Sequence, residues 1–173
     1  MVISSLNIKR ITDLIGFIEE CLNEMRTFHG ISQEEFLSDK RNPAYVESYL
    51  RRALEAVFDI GRYILTKTYG FKELEYKKIA KELGNRGIVT TELSEKLFMM
   101  AGYRNRMVHF YSEITPLELF QIVNNNLDDI EEFLRQIRKF INAYISRRNN
   151  DEKTIFIIFI INIFCYLYSK LWI

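Results

Sequence analysis

Arg104, Asn105, Arg106, His109 and Tyr111 fall within ten residues, Gly102-Tyr-Arg-Asn-Arg-Met-Val-His-Phe-Tyr111, the one local pattern in the chain whose types and spacing could do chemistry. Histidine titrates near neutral pH and can move the proton of a ribose 2′-hydroxyl. Arginine holds a phosphate through a planar fork and offsets the charge that builds on it in a transition state. Asn105 could orient either group. Together these residues allow metal-free RNA cleavage. No carboxylate cluster or Cys/His ligand set suggests a metal, and Cys21 and Cys165 lack the spacing of a metal site or a disulfide framework. On spacing alone, other roles stand beside this one. An arginine and a histidine near a helix end also serve as caps or as buried polar contacts, Tyr111 as a core or interface aromatic, and Arg106 as a surface charge.

If the segment is helical, with about 100° per residue, Arg104 and Tyr111 lie within roughly 20° of each other, beside Met107 and Val108. Asn105, Arg106 and His109 share another side, so Arg104 and His109 point about 140° apart. One copy of the chain brings that pair to a common substrate only if the helix breaks nearby. Otherwise a second copy must contribute, and a twofold dimer would make the site composite.

The elements that must position the motif are helical. Ile8, Ile11, Leu14, Ile15, Ile18, Leu22 and Met25 recur at three- and four-residue steps, which predicts an amphipathic helix over residues 7–28, with His29-Gly30 at its end. His29 is read as a helix-end histidine near the negative pole of the dipole. Ser32 and Glu35 have capping-box spacing for a short helix to Leu37. Pro43 suits the first turn of the longest pattern, Tyr45, Tyr49, Leu50, Ala53, Val57, Ile60, Ile64 and Leu65, which Gly70 stops. Ala53, Ala56 and Gly61 are small enough to let another helix approach. Tyr76, Ile79, Ala80 and Leu83 suggest a shorter helix closed by Gly84 and Gly87. Thr90 or Thr91 can cap the next, through Leu93, Leu97, Met100 and Ala101. After the motif, Thr115-Pro116 with Glu118 restarts a helix whose core face runs from Leu119 to Ile141, with a mixed-charge outer face. No strand alternation, repeat or phosphate loop interrupts this series, so the expected class is all-α, an up-and-down helical bundle.

Composition narrows the function. A chain of 173 residues suits one domain, and 48% apolar with 27% charged residues excludes a disordered class. A net charge of +1 leaves RNA binding to a local patch rather than a global field. Met1 to Arg10 has neither a long apolar run nor a cleavage pattern, so no signal peptide is expected and the cytoplasm is the expected compartment. The tail departs from the rest. Thr154 to Ser169 is a run of uncharged residues dense in Ile and Phe, short of the roughly 20 apolar residues that span a bilayer. Three readings stay open: packing on the bundle or on a dimer partner, membrane anchoring, and an extension without a selected role.

The motif, with Phe36-Leu-Ser-Asp-Lys-Arg41 before the long helix and Ile114-Thr-Pro-Leu-Glu118 after the motif, resembles the HepT-like toxins of the HEPN superfamily over about residues 7–145. Residues 146–173 lie outside that pattern. The resemblance implies a homodimeric ribonuclease toxin of a two-gene toxin–antitoxin system, without a cofactor. It makes Arg104 and His109 the catalytic pair and Asn105 the polar residue that follows the arginine. Arg106 is then a candidate for RNA binding. Tyr111 matches the tyrosine to which a minimal nucleotidyltransferase antitoxin adds AMP in relatives. A phosphate-bearing adduct there would crowd and repel an RNA backbone. A non-catalytic RNA- or nucleotide-binding module that docks a nucleotidyltransferase is the competing expectation.

Overall fold

The computed structural model describes residues 6–109 and 114–170, with only the backbone described at 109 and over 151–170. Among the described residues there are seven helices and no strand: α1 (Ile8–Arg26), α2 (Gln33–Ser38), α3 (Arg41–Tyr69), α4 (Tyr76–Asn85), α5 (Thr91–His109), α6 (Pro116–Asn125) and α7 (Leu127–Lys170). The chain divides into two compact units, Met1–Ile137 and Arg138–Ile173. The first is the expected all-α up-and-down bundle.

Local chemistry sets most helix ends. The Asn7 side chain accepts from Arg10 N at the start of α1, and Ser32 accepts from Glu35 N at the start of α2. α3 contains Pro43 in its first turn and ends at Gly70, whose φ of 75° is the left-handed cap that glycine adopts without strain. Thr115 and Glu118 form a complete capping box on α6, with Pro116 in its first turn.

α3 is the central element, packing against α1, α2, α4, α5 and α6. Its buried stripe of Val46, Leu50, Ala53, Leu54, Val57, Ile60 and Ile64 meets Ile11, Ile15, Ile18, Leu22 and Met25 of α1 in one core, with Phe36, Phe58 and Phe133 fully enclosed. Each such large apolar side chain stabilises the fold by roughly 1.5–3 kcal/mol on burial. Gly61 is where α4 comes closest to α3: a Cβ there would lie 2.7 Å from Ile79 Cγ2 and 3.0 Å from Leu83 Cδ1.

Three details differ from the sequence expectation. Gly84 does not close α4 but lies inside it, where a Cβ would lie 2.7 Å from Ser94 Cβ, so it brings α4 and α5 together. The helix that restarts at Pro116 does not run unbroken to Ile141; it stops at Asn125, and α7 begins at Leu127. Three successive asparagines sit at that break, and their side chains compete with helical hydrogen bonding. Asn124 donates to Phe120 O at 2.9 Å and accepts from Gly30 N at 3.2 Å, so it also anchors the turn that follows α1. Tyr45, expected on the core face of α3, is 38% exposed and is held at the surface by Glu24 and Tyr49.

Polar contacts fasten the rim of the first unit. Lys96 of α5 reaches Asp129 of α7 at 2.9 Å, and Gln136 of α7 accepts from Thr90 N at 2.7 Å, where an unpaired amide begins α5. In the second unit the α7 backbone is helical to Lys170. Among the described residues no helix is long and apolar enough to cross a membrane.

Candidate functional site

α5 carries the motif. It starts at Thr91, where Thr90 Oγ1 accepts from Leu93 N at 3.3 Å, and runs without a break through Arg104 to His109. Leu93, Leu97, Ala101 and Met107 are buried, which fixes the rotation of the helix and leaves Tyr103, Arg104, Asn105, Arg106 and Val108 partly exposed. The α5 backbone is continuous over this stretch, so no break in the helix falls between Arg104 and His109.

Arg104 is held against α3 and α4. Its side chain is 15% exposed, and its Nε donates to Glu55 Oε2 of α3 at 2.8 Å. Its guanidinium lies over the ring of Tyr76, 4.1 Å from the centroid, and the Tyr76 hydroxyl donates to the other Glu55 oxygen at 2.9 Å. Arg62, itself paired with Asp59, covers the same ring at 5.2 Å. Burial disfavours the charge on Glu55, but hydrogen bonds from Arg104 and Tyr76, with the positive charge of Arg104, outweigh it and hold the carboxyl below its ordinary value. Burial and the bond to Glu55 push the Tyr76 hydroxyl up, so it stays a donor. A planar guanidinium stacked on an aromatic face and tied at Nε has its fork pre-set for a phosphate.

Arg106 is placed differently. Its Nη2 contacts both oxygens of Glu118, at 3.0 and 3.2 Å, and Glu118 also accepts from Thr115 N at 2.9 Å. The amide of Thr115 is the main cause holding the Glu118 carboxyl below its ordinary value; slight burial opposes it, and Arg106 adds to the lowering. Arg106 therefore joins α5 to the first turn of α6 across the connection that follows the motif. The Asn105 side chain makes no hydrogen bond among the described residues. His109 is the last described residue of α5, with only its backbone described, and Tyr111 lies outside the described residues. The structure thus brings Arg104 and Arg106 into opposite ion pairs and leaves their meeting with His109 or Tyr111 undescribed.

Sequence reasoning missed Glu55 and Tyr76, which come from α3 and α4. The one available signal was an acid lodged among apolar residues, Ala53-Leu-Glu-Ala-Val-Phe58, on an otherwise core-facing stretch. Among the described residues no group of three or more His, Cys, Asp or Glu could hold a metal ion.

Comparison with known proteins adds to this geometry. The model of a family described as Ribonuclease HepT-like matches residues 18–137. A tRNA nuclease HepT from Aphanizomenon flos-aquae is 30% identical over 129 residues, 75% of this chain and 86% of that protein. An mRNA nuclease HepT from Shewanella oneidensis is 26% identical over 132 residues, 74% of this chain and 96% of that one. A solved structure described as a tri-AMPylated Shewanella oneidensis HEPN toxin in complex with MNT antitoxin superposes with a TM-score of 0.69 at 26% identity, covering 78% of this chain and 99% of that chain. The matched family span contains α5 with its whole motif and ends where the first compact unit ends. The chain belongs to the ribonuclease HepT-like family.

Proposed function

We propose that this chain is an endoribonuclease toxin of a toxin–antitoxin system and that it cuts RNA in the cytoplasm through Arg104 and His109. His109 takes the proton of a ribose 2′-hydroxyl, and that oxygen attacks the neighbouring phosphorus. The bond to the 5′-oxygen breaks and that oxygen takes up one proton, the equivalent of the one held by His109 and relayed through solvent, leaving a 2′,3′-cyclic phosphate on one fragment and a 5′-hydroxyl on the other. Arg104 offsets the charge on the phosphoryl oxygens, Asn105 orients the pair, and Arg106 is a supporting contact to RNA. Catalysis needs no metal in this scheme. The unbroken α5 supports a composite site in a homodimer, with the arginine of one copy and the histidine of the other at one phosphodiester. Residues 1–145 would form the ribonuclease domain and 146–173 an apolar extension.

A minimal nucleotidyltransferase antitoxin would neutralise the toxin by adding AMP to Tyr111. The related toxin described as tri-AMPylated and bound to an MNT antitoxin supports this partner. The observation that carries the reading is the ribonuclease family match across the stretch that holds Arg104-x4-His109. One observation favours the second reading, a non-catalytic module that docks a nucleotidyltransferase: Arg104 and Arg106 are both already paired with carboxylates.

Expression separates the two. Induced wild type should arrest growth, and the purified protein should cut RNA in EDTA, while His109→Ala does neither. Equal harmlessness of the two chains with RNA left intact would remove catalysis, and activity that vanishes in EDTA would remove the histidine–arginine mechanism.

A further inference from the structure

We propose that the groove between α3 and the C-terminal half of α5 seats the RNA backbone next to the scissile phosphate, with Arg51 gripping a flanking phosphodiester. This inference rests on the ribonuclease reading above and adds a substrate-binding residue to it.

The register of α3 against α5 places the groove. Glu55 lies opposite Arg104, while Ala44, Glu47, Ser48 and Arg51 line a cavity of about 320 Å³ with Met107 and Val108. Moving back along α3 from Glu55 therefore means moving forward along α5 from Arg104, toward Met107 and Val108. Glu47, Arg51 and Glu55 follow one another at four-residue steps, one stripe on one face of α3. Arg51 is the middle member, one turn from the carboxylate that holds Arg104.

Charge singles Arg51 out. Arg104 is compensated by Glu55, Arg106 by Glu118, and Arg52 lies over the rings of Phe17 and Tyr49. Arg51 is exposed and makes no hydrogen bond, ion pair or ring contact among the described residues, not even with Glu47 one turn away. Arg104 and Arg106 share their charge with a carboxylate, whereas an unpaired guanidinium gives a phosphate all of its charge and breaks no contact in binding. The cavity volume is at the small end for ligand sites, enough for one sugar–phosphate unit. The Ser48 hydroxyl can donate to a phosphate oxygen. Glu47 would repel one, so the phosphate belongs at the Arg51 end, and Glu47 is left to accept from the exocyclic amine of a base.

The test uses the full chain carrying His109→Ala, which binds RNA without cutting it, and a short single-stranded RNA titrated at several salt concentrations. Replacing Arg51 with Gln in that background should lower the slope of log affinity against log salt by about 0.7, the loss of one phosphate contact on a single strand. Arg51→Lys should restore the slope. An unchanged slope in Arg51→Gln, with RNA still bound, would overturn the inference while leaving the ribonuclease reading intact. A slope lost only because Arg51→Gln converts the protein to a smaller oligomer in sedimentation would overturn it too, by making the groove a contact between copies. Absence of RNA cleavage by wild type would remove the parent reading instead.

Discussion

Arg104 Nε on α5 and Glu55 Oε2 on α3 stand 2.8 Å apart, so the motif arginine is held by a carboxylate 49 positions away in sequence. With Tyr76 beneath the guanidinium and bonded to the same carboxylate, three helices fix one side chain. Such a contact fixes the direction of the fork before substrate arrives and lowers the ordering cost of binding a phosphate.

Glu55→Gln keeps the shape and removes the charge. Glu55 is 39% exposed, so solvent screens much of the ion pair, and the expected loss of stability is only about 1 kcal/mol. Turnover should fall by about tenfold or more, because the arginine loses its preset direction. Denaturant midpoints and single-turnover cleavage measured on the same preparation check both; a stability loss with unimpaired cleavage would deny Glu55 its positioning role.

Acid should weaken the fold as carboxyls with depressed folded values protonate, among them Glu55 and Glu118 beside the motif arginines. Glu55 and Glu118 both titrate below the ordinary 4.5 in the folded state. A depressed folded value means their stabilisation is complete above the unfolded value and disappears as pH falls through the folded one. The urea midpoint should hold steady from neutral pH down to about 5.5 and drop below about 4.5. The drop should be shallower in the Glu55→Gln, Glu118→Gln double variant; an identical pH profile would show that these two carboxyls do not carry it.

Two glycines inside helices should respond oppositely to alanine. At Gly16 in α1 nothing lies within 4 Å of an added Cβ, so Gly16→Ala should stabilise by about 0.5–1 kcal/mol through helix propensity. At Gly61 the Cβ would press into Ile79 and Leu83, and Gly61→Ala should destabilise by about 1–3 kcal/mol. Thermal or chemical unfolding of the pair reads the sign directly, and a stabilised Gly61→Ala would mean that α4 yields easily.

Tyr111 should gain the mass of AMP on co-expression with a minimal nucleotidyltransferase antitoxin. Tyr111→Phe should still cleave RNA and escape neutralisation, because it lacks the hydroxyl proposed to accept the nucleotide. Intact-mass and peptide-level spectra decide it, and an unmodified Tyr111 in a neutralised toxin would remove the role.

Sequence periodicity located α1 and α3 to within about two residues, because each buries one continuous stripe against a neighbour, whereas the periodic pattern of α5 was traced only to Ala101 and the helix continues to His109. The motif was legible for a different reason: its polar residues break the apolar rhythm of α5. Contacts between helices left no such trace. Nothing in the order of residues says that Glu55 meets Arg104, or that Arg106 is committed to Glu118 rather than to solvent. The break at Asn126 escaped because apolar spacing continues across it, while three asparagines redirect the backbone. Nothing in the order of residues distinguishes Arg51 from other surface charges; the pairing of Arg104 and Arg106 does.

The central claim, an arginine from one copy and a histidine from the other at one phosphodiester, is tested most directly by mixing two inactive chains. Arg104→Ala and His109→Ala protein, each unable to cut RNA alone, are combined, allowed to exchange subunits and assayed in EDTA. A mixed dimer would hold one intact site, so the mixture should recover about a quarter of wild-type activity. A mixture that exchanges subunits and stays as inactive as either parent would contradict the account.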